Sequence, residues 1–253
     1  MNLTESIEKE YASIKETEIK LLPNKNDAKQ MHLLTEAYAS WLKEAGFNAL
    51  LNRSYEKNLR YEDAINRLRK IKKTYSSEQI VQFCSLLNGY QSQKLFSVTG
   101  FFLSALINMH YAAVHKTAQE NKEYILFTEH LEKKIDYIGY LANGAHIHIV
   151  GDAGLFLGKD MKSGRITILG NTGSSPGFGM NGGAITIRHN AGPLVGNYMN
   201  GGEIHIDGGY RSISDQIYGG RIFHRGNELS FSKINKEEIM ITPEKMTEAI
   251  AKL

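Results

Sequence analysis

One cysteine in 253 residues, Cys84, excludes a framework of disulfides. The spacing of Ile80, Phe83, Cys84 and Leu87 places that thiol on the apolar face of a helix capped by Ser76 or Ser77. A reactive thiol needs an exposed electropositive setting, so Cys84 reads as a small buried hydrophobe. Neither sign of charge dominates, the formal net charge being +3. Residues 1–134 carry 19 Lys and Arg against 16 Asp and Glu, and residues 135–229 carry seven of each. That balance argues against nucleic acid as a partner. Met1-Asn2-Leu3-Thr4-Glu5 has neither the basic start nor the apolar run of a secretory leader, and the expectation is a reduced, cytoplasmic protein. Glycine is nearly missing from the first half: only Gly46, Gly89 and Gly100 precede residue 135, and the other 21 of 24 lie between Gly139 and Gly226. Two architectures therefore meet near residue 134.

Residues 1–134 read as a helical domain. Asn26 or Asp27 caps a segment through Met31, Leu34, Ala37, Trp41 and Leu42 that is expected to stop at Gly46. A second amphipathic segment spans Tyr61 to Lys73. Its basic run from Arg67 to Lys73 has Leu68 and Ile71 at core spacing between the charges, which fits a solvated helix face. Leu95 to Val114 holds no charged residue for 20 positions, the length of a membrane span. Ser97, Thr99, Gly100, Ser104, Asn108 and His110 interrupt it, so the centre of a bundle is expected and no membrane is assigned. Glu123 to Thr128 looks like a short strand that starts the following sheet.

Residues 135–229 repeat. Gly164-Arg165-Ile166-Thr167-Ile168 returns as Gly183-Ala184-Ile185-Thr186-Ile187 and as Gly202-Glu203-Ile204-His205-Ile206. The leading isoleucines fall at 147, 166, 185, 204 and 222, in steps of 19, 19, 19 and 18. Isoleucines two apart on a strand share a face, so Ile147 and Ile149, and their equivalents, point inward. A second rung joins Met161, Met180, Met199 and Tyr218. Gly151, Gly170, His189 and Gly208 mark one turn, followed by Asp152, Asn171, Asn190 and Gly209, residues that tolerate sharp turns with positive φ. Gly154, Gly173 and Gly192 mark a second corner, and Gly158, Gly177 and Gly196 a third. Strands recurring in one direction every 19 residues cannot form hairpins. They predict a parallel β-helix of about five coils with stacked equivalent positions. No hexapeptide register is visible, and only Asp152 would serve a calcium-binding nonapeptide turn. Residues 230–253 are expected to close the stack, with Thr242 capping a helix over 243–253 and Pro243 in its first turn.

The recurring Met-x-Gly-Gly-x-Ile-x-Ile at 180–187 and 199–206, weakened at Met161-Lys162-Ser163-Gly164, alternates with Gly-Asn-x-Gly-like turns at 170–173 and at His189-Asn190-Ala191-Gly192. That combination resembles the GXGXG-type β-helix at the C-terminus of the glutamate synthase large subunit and in the formylmethanofuran dehydrogenase C subunit. The resemblance covers about 95 residues, some 38% of the chain. It implies a right-handed helix with a structural role, holding catalytic domains or subunits in place, and no catalytic residues of its own. The chain departs from that family at His189, in the weakened last coil from Asp207 to Tyr218, and in its helical domain. Asn2 stands where the amidotransferase would present a nucleophilic cysteine, and Cys84 alone cannot hold an iron–sulfur cluster, so the chain is not a glutamate synthase by itself.

Chemistry-bearing patterns are few. Gly177-Phe178-Gly179-Met180-Asn181-Gly182 matches G-x-G-x-x-G but leads into another strand instead of a helix, so no dinucleotide site follows. His148 and His205 share an outward rung three coils, or about 14 Å, apart, beyond reach of one zinc ion. His146 and His148 lack a third ligand, and the extra residue in that coil is expected to turn His146 away. No metal, cofactor or catalytic set is assigned. The leading expectation is a non-catalytic assembly protein whose β-helix docks to a protein partner, such as an oxidoreductase subunit, or to its own copy. The alternative is an enzyme or small-molecule binder whose site lies between the helical domain and the first coils, drawing on Ser104, Asn108, His110, His146 and His148.

Overall fold

The computed structural model describes residues 27–51, 57–71, 75–92, 96–114 and 123–229. The expected C-terminal capping segment lies outside the described residues. Among the described residues four α-helices come first: α1 (Asp27–Leu51), α2 (Lys57–Ile71), α3 (Ser77–Leu86) and α4 (Gly100–Val114). Seven strands follow among the described residues: β1 (Glu123–Phe127), β2 (Asn143–Val150), β3 (Ser163–Ile168), β4 (Ala184–Ile187), β5 (Glu203–Ile206), β6 (Arg221–His224) and β7 (Asn227–Glu228).

Strands β1 to β6 pair in sequence order and all in parallel, with β7 added antiparallel at the far edge. The repeat is thus a parallel β-solenoid of about five turns. Ile147, Ile166, Ile185, Ile204 and Ile222 stand directly opposite one another, as do Ile149, Ile168, Ile187 and Ile206. All are buried. Tyr124 and Leu126 of β1 head the two ladders, so the strand at Glu123 does begin the sheet. Each coil buries its isoleucines only against its neighbours, which is why the stack is stable as a set and not coil by coil.

Two spacings inside the repeat have a steric origin. Gly158 and Gly177 have φ of 66° and 71°, and a Cβ on either would lie 2.5 Å from Cδ1 of Ile185 or Ile204, the isoleucine of the next coil. Likewise the methyl groups of Met161 and Met180 fill the space where a Cβ on Gly183 or Gly202 would lie 2.6 Å away. The Met-x-Gly-Gly phrase is therefore a packing rule between successive coils. At Gly170 and Gly208, by contrast, φ is not positive. There, the close approach of the coil below, through Gly151 O and His189 O, leaves no room for a Cβ.

The methionine rung departs from its expected end. Asn181 and Asn200 donate their amides to Met161 O and Met180 O at 2.8 and 2.7 Å, and Tyr218 donates to Met199 O at 2.9 Å. Tyr218 therefore occupies the asparagine position, and the buried Ile217 continues the methionines. The cause is a missing residue: Ala191 pairs with Tyr210 at a step of 19, but Val195 pairs with Ile213 at a step of 18.

The helices cover the first coils. Tyr38, Trp41, Phe83 and Phe102 pack ring against ring, and Tyr38 Oη lies 2.6 Å from Thr99 Oγ1. Helix α1 runs past Gly46 to Leu51, since one glycine inside a helix costs only about 1 kcal/mol relative to alanine and does not end it unaided. Ser76 caps α3 in a reciprocal pair with Gln79. Val81 of α3 lies on Phe127, Val150 and Leu169, on the outer face of the sheet. Phe96–Val114 is apolar and long enough to cross a membrane by composition, yet 61% of its most apolar window is buried within the protein, with Phe101, Phe102, Leu103 and Ile107 in the core. Of the basic run, Leu68 is buried and Arg67 reaches Glu44 and Ser40 of α1.

Candidate functional site

The outer wall of the solenoid presents regular ladders. At one corner Asp152 Oδ1 accepts from the backbone N–H and side-chain amide of Asn171, at 2.7 and 3.0 Å. Asn171 Oδ1 accepts in the same way from Asn190, which in turn accepts from Gly209 N. Each side chain thus satisfies the turn of the next coil, the task for which asparagine and aspartate recur here. Lys134 closes the ladder at its first member, 2.8 Å from Asp152.

On the flat outer face of the sheet, His148, Thr167, Thr186 and His205 follow one another across four strands, which keeps the two histidines apart. The irregularity of β2 lies before His146. His146 accordingly stays in register opposite Glu123 and Arg165 and shares the outer face with His148, instead of being turned away from it as expected. His148 Nε2 lies 3.8 Å from Glu123. Farther along, Glu203 takes His205 at 3.1 Å and Arg221, contacts that hold its carboxyl below the usual range, while His205 stacks on Phe223 at 4.6 Å. Among the described residues no three His, Cys, Asp or Glu side chains converge to hold a metal. Cys84 is fully buried 3.5 Å from Phe127 O, and burial pushes its thiol up to about 12.

The third corner is different in character. Phe101 of α4 stacks on Tyr137 at 4.2 Å, and the ring contacts continue through Phe156, Phe178, Tyr198 and Tyr218 at 5.1, 5.6, 5.2 and 6.2 Å. This aromatic track climbs the side of the tube. It is buried at the helical end and opens outward, Tyr198 being 38% exposed; Leu155, next to Phe156 in the chain, and Leu194, whose carbonyl accepts from Asn197 N, are 41% and 43% exposed. Tyr137, Phe156, Leu194 and Tyr198 all have φ near +60°, where side chains other than glycine are rare. Lys159 lies 4.6 Å from the centre of the Phe178 ring and pairs with Asp160. This flank is not apparent from the repeat pattern. The signal was apolar residues at turn positions, where Ser174 and Ser175 of another coil show the polar choice.

The five residues named from sequence separate. Ser104 is buried, donating to Tyr137 O at 3.1 Å and accepting from Tyr140 N at 3.0 Å. His110 is buried against Tyr124 Oη at 2.8 Å. His146 and His148 lie on the outer sheet face. Asn108 alone lines a cleft between the helices and the first coils, joined there by Tyr61, Tyr111, Asn143, Lys162 and Ser163. Comparison with protein-family models, with curated proteins and with solved structures gives no match for this chain.

Proposed function

We propose that this protein is a non-catalytic assembly module that docks a partner subunit along the aromatic flank of its solenoid. The observation that carries the reading is the packed track of rings from Phe101 to Tyr218, which emerges at the exposed Tyr198, with Leu155 and Leu194 also exposed at turns of the coils that carry Phe156 and Tyr198. Interface cores are rich in tyrosine, phenylalanine and other large apolar side chains, and binding energy concentrates in such anchors. The coil holds these turn positions near φ +60° whatever the side chain, Asp160 and Ser175 included, so it is the choice of apolar residues at Leu194 and Tyr198, where polar ones are tolerated, that points to a partner. The occupant is a heterologous protein with a complementary apolar surface. A right-handed winding and kinship with the GXGXG domain of glutamate synthase would make that partner an oxidoreductase subunit and the setting cytoplasmic.

Affinity capture from native lysate compares the natural chain with Leu194→Asp and Tyr198→Asn. Aspartate and asparagine tolerate positive φ, so both variants are expected to fold. The reading predicts one stoichiometric partner, recovered with the natural chain and lost with both variants. Recovery of free monomer or self-oligomer only, or of the same proteins with all three chains, overturns it.

A further inference from the structure

We propose that the cleft between α2, α4 and the start of β2 and β3 binds a small organic anion that carries hydroxyl groups. Its volume is about 560 Å³, within the range of small-molecule sites. Three of its polar groups are fixed in place by bonds to the protein. Asn108 spends its Nδ2 on Tyr61 Oη at 2.9 Å and on Tyr140 O at 3.2 Å, which holds the amide in one orientation and leaves Oδ1 to accept. Tyr61, by accepting that bond, keeps its own proton for donation. Burial raises the phenol above its ordinary value, so it remains a neutral donor. Asn143 Oδ1 accepts from Ser163 Oγ at 2.9 Å, which leaves the Asn143 amide hydrogens as donors.

Lys162 stands at the rim with its side chain exposed, and no lining residue is a carboxylate. The wall therefore offers one cation, two kinds of neutral donor and one accepting oxygen. That set matches anionic oxygens at the Lys162 end and a ligand O–H at Asn108. Tyr111, Ala112 and Leu141 supply apolar surface for a carbon skeleton. Gly144 contributes by having no side chain, because a Cβ there would lie 2.5 Å from the Tyr111 ring. Both carboxylate and phosphate satisfy this chemistry.

Isothermal titration of the full chain with a hexose 6-phosphate, the corresponding aldonate, the neutral hexose and inorganic phosphate tests the assignment and separates the two anion sources. Saturable binding of the sugar phosphate or the aldonate is expected, with the neutral hexose and bare phosphate at least about tenfold weaker. Lys162→Ala is expected to weaken the bound anion by about tenfold, the worth of one charge-assisted hydrogen bond. Ala112→Trp fills the cleft and abolishes binding. Both positions are exposed, so unchanged melting temperatures verify that the variants fold. The proposal is overturned if neither hydroxylated anion saturates, if the neutral hexose binds as tightly as they do, or if both variants bind like the natural chain.

Discussion

A methyl group placed on Gly177 would lie 2.5 Å from Cδ1 of Ile204, one coil farther along the tube. The glycine and the isoleucine are thus one packing unit, repeated at Gly158 and Ile185. Gly177→Ala is expected to destabilise the protein by about 2 kcal/mol, from the left-handed φ and the displaced isoleucine together. Ile204→Val removes Cδ1 and costs about 1 kcal/mol alone. The double variant should lose less than the sum of the two, and chemical denaturation of the four proteins measures that coupling. Strict additivity would show that the contact is relieved elsewhere.

The asparagine ladder makes a prediction with a sign in pH. Burial pushes the Asp152 carboxyl up, but hydrogen bonds from Lys134 and Asn171 outweigh it and hold the group below the ordinary aspartate value of 3.8. A folded pKa below the unfolded one means a stabilisation present above about pH 4 and lost as the pH falls through the folded value. Asp152→Asn is expected to lower the melting temperature slightly at pH 7, the pair with Lys134 being partly exposed, and not at about pH 2. Asn171→Ala, which takes the acceptor from the Asn190 N–H and amide and one of its two bonds from Asp152, should cost about 1–2 kcal/mol.

Ser104 ties the helical layer to the first coil through Tyr137 O and Tyr140 N. Ser104→Ala removes one of the two acceptors of the Tyr140 N–H, which keeps Tyr137 O at 3.2 Å, and leaves Tyr137 O without the serine donor; it is expected to cost about 1 kcal/mol. Hydrogen exchange at Tyr140 should accelerate while amides of β4 keep their protection. Equal acceleration throughout would mean that helices and coils open as one unit.

The ladders were legible because a 19-residue period writes the register directly: once Ile166 stacks on Ile147, every later isoleucine is placed. The period breaks at Tyr218, where the deletion between Tyr210 and Ile213 moves the methionine rung by one residue. Gly46 does not end its helix because a glycine alone cannot, and His146 keeps its face because the position of a bulge is not written in composition. Asn108 was found as a polar residue in an apolar helix. Its cleft partner Lys162 stands out only as part of the repeat, and Asn143 not at all, since nothing in their own neighbourhood reports that α4 passes above them. The exposed Leu155 and Leu194 were hidden for the related reason that a turn residue shows its apolar character only when its corner is known to face outward.

The docking reading is tested most directly by a photoreactive amino acid placed at Leu194, with His189, exposed at another corner, as the control site. Irradiation in native lysate is predicted to give one heterologous adduct from position 194, absent from position 189 and suppressed by Leu155→Asp. No adduct at 194, adducts only between copies of this chain, or the same adducts from both positions would contradict it.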